Sequence, residues 1–357
     1  MAINREFWED KTVLLTGHTG FKGSWLSIWL EKLGANVIGL SKDVPTTPSL
    51  FELSKISDNI RSIIGDIKNF DKVNEIVKNH KPEIVIHMAA QSLVRKSYQD
   101  PADTFSTNIM GTVNLLEAVR ISEDTRVFIN VTSDKCYAND GTVSTFTEDS
   151  PMGGYDPYSS SKGCSELVTA AYRNSFFNTD NFENHGLSLA SVRAGNVIGG
   201  GDWAQDRLIP DVIRGISKKT AISIRNPNSV RPWQFVLDPL WGYISLAENM
   251  WSNGKQFAES WNFGPDENDC KPVRWILEKI SSEWNEELMW EEDIKNNPHE
   301  ANLLRLDCTK AKERLGWRSR LNLENSISWT INWYKEYLLG SDMREVTRRQ
   351  IEEYMSL

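Results

Sequence analysis

The sequence predicts an α/β fold: a doubly wound parallel sheet with a smaller C-terminal α/β lobe. Three observations carry this. Short apolar runs alternate with stretches of helical periodicity through the first half of the chain, and such alternation predicts parallel strands with helices on both faces. Three glycines stand between the first apolar run and the first helical stretch. After about Ala194 the alternation loosens into glycine- and proline-punctuated loops joining short elements.

The elements follow in order. Val13-Leu14-Leu15, ending in Thr16-Gly17, reads as a buried strand. From Phe21 to Leu33 the apolar residues Trp25, Leu26, Trp29, Leu30 and Leu33 fall at helical spacing, and Gly34 is placed to end the helix. Asn36 to Leu40 is a second strand and Ser62-Ile63-Ile64 a third, followed by a helix near Asp71–Asn79. Pro82 precedes the fourth strand, Ile84 to Met88. Asn108 to Val119 is helical, Val127 to Val131 is the fifth strand, and Leu187 to Val192 is another. The last stretch, Asp342 to Met355, places opposite charges at i,i+4 (Glu345/Arg349, Arg348/Glu352, Arg349/Glu353) and reads as a solvated, ion-paired helix.

Composition narrows the function classes. A chain of 357 residues suits about two domains. A net charge of −9 argues against a sequence-independent nucleic-acid binder. No apolar run approaches the roughly 20 residues that span a bilayer, and the start, Met1 to Glu6, lacks a secretory apolar stretch. Cys136, Cys164, Cys270 and Cys308 form no Cys-x-x-Cys pair; they read as free thiols in a reducing, cytoplasmic compartment, with no metal site. Of fourteen tryptophans, three lie at or before Trp29 and eleven at or after Trp203, which suggests two halves of different character.

Gly17, Gly20 and Gly23 form a Gly-x-x-Gly-x-x-Gly turn directly between the first strand and the first helix. Glycine there allows a tight turn and close approach of backbone to a pyrophosphate, with the helix N-terminus supplying partial positive charge. Thr19, Phe21 and Lys22 belong to the same loop. The acid expected at the end of the second strand is missing: Ser41 and Lys42 stand there, with Asp43 two positions late. On the residues alone NAD and NADP both remain open. Asp66, with Ile67 behind it, is either an adenine partner or a turn-capping aspartate.

Tyr158 and Lys162 stand four apart before a helical stretch, so their side chains share a face. A lysine beside a phenol favours the phenolate and is expected to bring the tyrosine below its ordinary value of about 10. Asp134 and Lys135 sit at the carboxyl end of the fifth strand, where ligands bind in open α/β sheets. Two charges there are costly unless employed.

The chain resembles the extended short-chain dehydrogenase/reductases, a Rossmann-like family. The run His87-Met88-Ala89-Ala90-Gln91, the segment Ser106 to Thr112 and the Tyr158/Lys162 pair carry the likeness. More narrowly it is similar to the nucleotide-sugar 4,6-dehydratases, within them to those acting on CDP-glucose. The blocks Gly17–Gly23, Thr132–Tyr137, Met152–Tyr158, Arg193–Trp203 and Arg231–Gln234 carry that match.

The resemblance implies tightly bound NAD, held by the glycine loop, Asp66, Ile67, Ala89, Ala90, Gln91, Asn108, Tyr158 and Lys162. It implies a lyase of deoxysugar biosynthesis that oxidises the sugar at carbon 4, eliminates water across carbons 5 and 6, and returns the hydride to carbon 6. Tyr158 is then the base at the 4-hydroxyl, Ser133 the orienting hydroxyl and Asp134 the general acid at the 6-hydroxyl. Lys135 takes the place of the carbon-5 base; because a base must be a neutral amine, it is alternatively an electrostatic stabiliser. Gln91, Asn196, Arg207, Arg231, Asn262 and His299 are the candidates for the nucleotide sugar, with Arg231 suited to phosphate. Asn108 is alternatively a support for the Tyr158 helix, and Trp233 either stacks on the base or fills core.

The expected division is a dinucleotide-binding part, 1–194 plus about 232–262, and a nucleotide-sugar lobe, 195–231 and 263–357. A homodimer or homotetramer is expected, through the helix near Asn108–Val119 and the Tyr158 helix. The competing readings are a nucleotide-sugar 4-epimerase and a non-catalytic NAD(P) sensor. The first has no use for Asp134 as an acid at carbon 6, and the second has no need of the Tyr158–Lys162 spacing.

Overall fold

The computed structural model describes residues 3–141, 145–293 and 304–357. Its centre is a seven-stranded sheet: β1 (Thr12–Thr16), β2 (Asn36–Ser41), β3 (Arg61–Ile64), β4 (Ile84–His87), β5 (Val127–Val131), β6 (Ser188–Ala194) and β7 (Ser260–Phe263). The spatial order is β3-β2-β1-β4-β5-β6-β7, and every neighbouring pair is parallel. All carboxyl ends therefore lie along one edge. The order reverses between β1 and β4, which opens a crevice there. β4, β5 and β6 are buried along their whole length, as strands covered on both faces must be.

The strands read from sequence are present. β7 is not visible in the sequence pattern: four residues supplied from far along the chain extend the sheet beyond β6. The helix that follows β1, α1 (Phe21–Lys32), ends before Gly34, which takes φ +93° as its place after the helix requires. The stretch predicted as one helix from Asn108 begins as a widened π turn, Ser106–Met110, and continues as α2 (Gly111–Ser122). The smaller sheets join Asn196–Ile198, Val230–Phe235 and Cys270–Pro272 in one group, and Ile222–Ile224 with Trp290–Glu292 in another.

Two expectations are corrected. The tryptophans do not mark separate halves: Trp8, Trp25 and Trp29 share one apolar core with Trp203, Trp233, Trp241, Trp261, Trp317 and Trp333. Trp25 donates to the Gly200 carbonyl at 2.9 Å, and Trp29 meets Tyr354 edge-on at 5.8 Å. Indoles from both ends fill one space where α1 is covered by the C-terminal helices. The last helix, Met343–Ser356, is not simply solvated. Its face of Met343, Val346, Thr347, Gln350, Ile351 and Tyr354 is buried, and it packs on α1 and on Leu323–Leu338. Its charged residues reach other helices, with Arg344 on Glu31 at 2.9 Å and Glu352 on Lys32.

Among the described residues no helix is long and apolar enough to cross a membrane, and no cluster of His, Cys, Asp or Glu is suited to a metal ion. All four cysteines are free.

Candidate active site

The glycine turn is fixed by contact. Gly17 adopts φ +78°, and a Cβ there would lie 2.8 Å from the Ala89 nitrogen. A Cβ on Gly23 would lie 2.0 Å from the Gly17 carbonyl oxygen. Only bare backbone lets β1, α1 and the end of β4 come this close. No side chain caps α1, whose N-cap is Gly20, so its N-terminal N–H groups are left for a ligand at the crevice. This cradle fits a dinucleotide pyrophosphate. Thr19 donates from its hydroxyl to the Asp43 carbonyl at 2.6 Å, tying the loop to the chain after β2. Buried His18 bridges Ser41 and Ser62 at 2.9 and 2.7 Å, and burial pulls it down to about 4, so it is neutral mortar between β2 and β3.

Asp66 is a turn-capping aspartate, accepting from the Lys68 N–H at 2.9 Å, and it also lines the crevice beside Lys42, 3.8 Å away. Ile67, Ala89 and Ala90 line the same wall. Gln91 also lines it, but its side chain is turned into its own loop. Its amide donates to Leu93 O and the Thr104 hydroxyl, both at 3.0 Å, and its carbonyl accepts from Leu93 N at 2.7 Å. That leaves Gln91 acting through backbone and shape.

The tyrosine and lysine ride on α3 (Pro157–Ser175). Asp156 caps it, accepting from Ser159 N at 2.9 Å, and Pro157 opens its first turn. Both Tyr158 and Lys162 are buried on one face. Lys162 donates to the Val131 carbonyl at the end of β5, at 3.2 Å. Burial pulls its ammonium down to about 8, against the Glu166 charge. The expectation that Lys162 brings the phenol down is not met by the protein alone. Burial pushes Tyr158 up to about 12, and the Ser133 hydrogen bond opposes this without overcoming it. Spacing put the two side chains on one face; desolvation decided the direction.

Beyond β5 the chain makes a 3-10 turn, Asp134–Cys136, with Ser133 accepting from Lys135 N at 3.2 Å. Asp134 is buried, and its carboxylate accepts from the Ser133 hydroxyl at 3.0 Å. Burial raises its carboxyl; Lys135, Ser133 and Arg231 pull the other way. A buried carboxyl held toward its protonated form is suited to donate a proton. Lys135 lines the cavity half-buried.

The cavity of about 1130 Å³ gathers nearly all the predicted residues, including Ser133, Asp134, Lys135, Tyr158, Lys162, Asn196, Arg207 and Arg231. Arg207 is held by Asp202 at 2.9 Å. Arg231 sits on the strand Val230–Phe235, whose Trp233 lies opposite Asn196. Trp233 lines the cavity; Trp203 does not, and packs among Trp333, Tyr334 and Tyr337.

Two candidates are redirected and one is not described. Asn262 is fully buried behind the cavity: its amide donates to Phe146 O and Asp307 O at 3.0 and 3.1 Å, and its carbonyl accepts from the Tyr137 hydroxyl at 2.7 Å. With its polar atoms satisfied by protein, it is a structural residue. Asn108 accepts from Gln91 N at 2.8 Å and donates to Gln91 O and the Ser161 hydroxyl at 3.0 and 2.8 Å. It braces the loop after β4 against α3, its alternative reading. His299 lies outside the described residues. Tyr243 escaped the sequence reading; it accepts from Lys22 at 3.4 Å, and no local pattern pointed to it.

The profile of the GDP-mannose 4,6 dehydratase family matches residues 14–330. The chain is 52% identical to the CDP-glucose 4,6-dehydratase of Salmonella typhimurium over 99% of each chain. It is 26% identical to the dTDP-glucose 4,6-dehydratase of Xanthomonas campestris over 90% of this chain and 93% of that one. A dTDP-glucose 4,6-dehydratase from Bacillus anthracis, solved with NAD, shares the fold at a TM-score of 0.75 and 21% identity, covering 94% of this chain and 99% of that one. A UDP-glucose 4-epimerase from Thermotoga maritima does so at 0.77 and 23%, covering 92% and 99%. The epimerase shows that the fold alone does not choose the reaction. The family match over most of the chain and the 52% identity do what fold cannot: the chain belongs to the GDP-mannose 4,6 dehydratase family.

Proposed function

We propose that this chain is an NAD-dependent CDP-glucose 4,6-dehydratase, a hydro-lyase converting CDP-glucose to CDP-4-keto-6-deoxyglucose and water. The observation that carries the choice is Asp134. Its carboxyl is buried at the crevice beside Ser133 and raised by that burial. A 4-epimerase or a cofactor sensor has no use for such an acid. The 52% identity over nearly the whole chain supports the same substrate.

When bound, NAD would supply hydride acceptance at carbon 4 and hydride donation at carbon 6, the latter matched by a proton returned to carbon 5, so net redox is zero. Tyr158 takes the proton of the sugar 4-hydroxyl, with Ser133 orienting that oxygen. The 4-ketone acidifies carbon 5. Lys135, beside Asp134 on the same wall, takes that proton or stabilises the enolate that its loss creates. Asp134 gives its proton to the departing 6-hydroxyl, which leaves as water. The glycine loop, Asp66, Ile67, Ala89, Ala90 and the Gln91 backbone hold NAD; Asn196, Arg207 and Arg231 hold the CDP-sugar phosphates.

In this reading residues 1–194 and about 232–262 form the dinucleotide part, and 195–231 with 263–357 the sugar lobe. The four free thiols support a reducing, cytoplasmic setting. Homodimers or homotetramers form through α2 and α3, where Met110, Ile121, Leu167 and Phe176 are exposed on or beside adjoining helices. The test is incubation with CDP-, dTDP-, UDP- and GDP-glucose. The 4-keto product, read by its ultraviolet absorbance in alkali, is expected from CDP-glucose. An epimerised sugar, or no turnover of any of the four, would overturn the reading.

A further inference from the structure

The face of α3 that carries Tyr158 and Lys162 continues one turn on to Glu166, which is also buried. Both of its carboxylate oxygens accept two hydrogen bonds. One takes Arg193 Nε at 2.9 Å and the Thr132 hydroxyl; the other takes Arg193 Nη2 at 2.8 Å and the Ser191 hydroxyl at 2.6 Å. Arg193, on β6, is equally buried. Its remaining Nη1 donates to the Tyr137 hydroxyl at 2.6 Å and the Glu148 carbonyl at 3.0 Å, and the guanidinium lies over the Tyr137 ring at 4.9 Å. Thr132 and Tyr137 flank the catalytic turn, one immediately before Ser133 and one immediately after Cys136. Neither Glu166 nor Arg193 is among the described residues that line the cavity.

A buried ion pair contributes little net stability over apolar packing of the same volume. This one grips both ends of the turn that carries Ser133, Asp134 and Lys135, and grips them from the helix that carries Tyr158 and Lys162. We infer that Glu166 and Arg193 are positioning residues for proton transfer: the pair holds turn and helix in register, and the Glu166 carboxylate keeps Lys162 charged.

The charges around Lys162 bear this out. On its own helix it has Tyr158 and Glu166. Lys22 faces it from α1, His87 from the end of β4, and Cys136 from the turn that also carries Asp134. Burial pulls His87 down to about 3 and pushes the Cys136 thiol well up, so both are neutral at pH 7. Lys22 repels. Burial would push the Glu166 carboxyl up as well, but the Arg193 hydrogen bonds and charge overturn that and hold it below its ordinary value. Glu166 is thus the anion that supports the Lys162 ammonium against burial.

The inference depends on the dehydratase reading only for the choice of substrate, so the test uses whichever nucleotide sugar the wild type turns over. Failure on CDP-glucose then counts against the substrate and not against the pair. Glu166→Gln keeps shape and removes charge. Its kcat is expected to fall by about tenfold or more, with KM within about twofold. Its alkaline limb, set by loss of the Lys162 proton, is expected to move to lower pH by about one unit. Arg193→Lys keeps a cation on Glu166 but gives up the fork that reaches Tyr137, so kcat should fall while the limb stays. Should Glu166→Gln not fold, Glu166→Gln/Arg193→Met, which leaves no unpaired charge, replaces it with the same expected limb shift. A folded variant lacking the carboxylate whose kcat and alkaline limb match the wild type overturns the inference.

Discussion

Glu248 offers a test of how burial sets a charge in this fold. It lies on α4 (Leu237–Ser252), half-buried. A single carboxylate oxygen accepts both Trp8 Nε1 at 2.7 Å and Asn4 N at 3.0 Å, pinning the N-terminal segment to α4. Burial outweighs those two hydrogen bonds and pushes the carboxyl from 4.5 up to about 7. For a carboxyl raised in the folded state, the penalty is absent below the unfolded value. It grows as pH rises and is complete above about 7. A shift of that size corresponds to about 3 kcal/mol, and to about 2 kcal/mol once solvent screening of a half-buried group is allowed for. Glu248→Gln keeps the accepting oxygen and cannot ionise. For 357 residues, about 2 kcal/mol is worth about 3 °C in melting temperature. Thermal melts at pH 5 and pH 8 are the assay. The variant should melt within about 1 °C of wild type at pH 5 and about 3 °C above it at pH 8. An equal gain at both pH values, or no gain at pH 8, would refute the desolvation argument.

Asp134→Asn retains an acceptor for the Ser133 hydroxyl but has no proton to give. Product formation should fall about 10²- to 10⁴-fold while solvent deuterium still enters at carbon 5, and turnover within tenfold of wild type would remove Asp134 from the acid role. Lys135→Met separates the two readings of that residue by the same label: lost exchange at carbon 5 marks a part in the proton step, and unchanged exchange rules an essential part out. Gly17→Ala forces a Cβ to 2.8 Å from the Ala89 nitrogen at φ +78°. The purified variant should have lost its bound NAD and about 1–3 kcal/mol of stability; full NAD content in it would show that the turn is not the cradle described.

Much of the site was legible in the sequence because its signals are local. A Gly-x-x-Gly-x-x-Gly turn and a Tyr-x-x-x-Lys pair act over a few residues, and strand and helix periodicity set which face they present. The parallel sheet follows from the same alternation. What the sequence did not show depends on distant partners. Asn262 and Gln91 have the chemistry of ligand-binding amides, but Tyr137, Phe146, Asp307, Leu93 and Thr104 use up their donors and acceptors. The strand Ser260–Phe263 is short and gains its place only by pairing with β6.

By itself, then, the sequence determined the fold class, the cradle at Gly17–Gly23 and the side chains available for proton transfer, since each rests on spacing along the chain. The tertiary structure decided which polar groups remain free and which way each titrates. Tyr158 is the plainest case: the lysine four residues away is in the sequence, but the burial that pushes the phenol up to about 12 exists only once the rest of the chain has packed around it. Desolvation depends on everything packed around a group, and no local pattern records that.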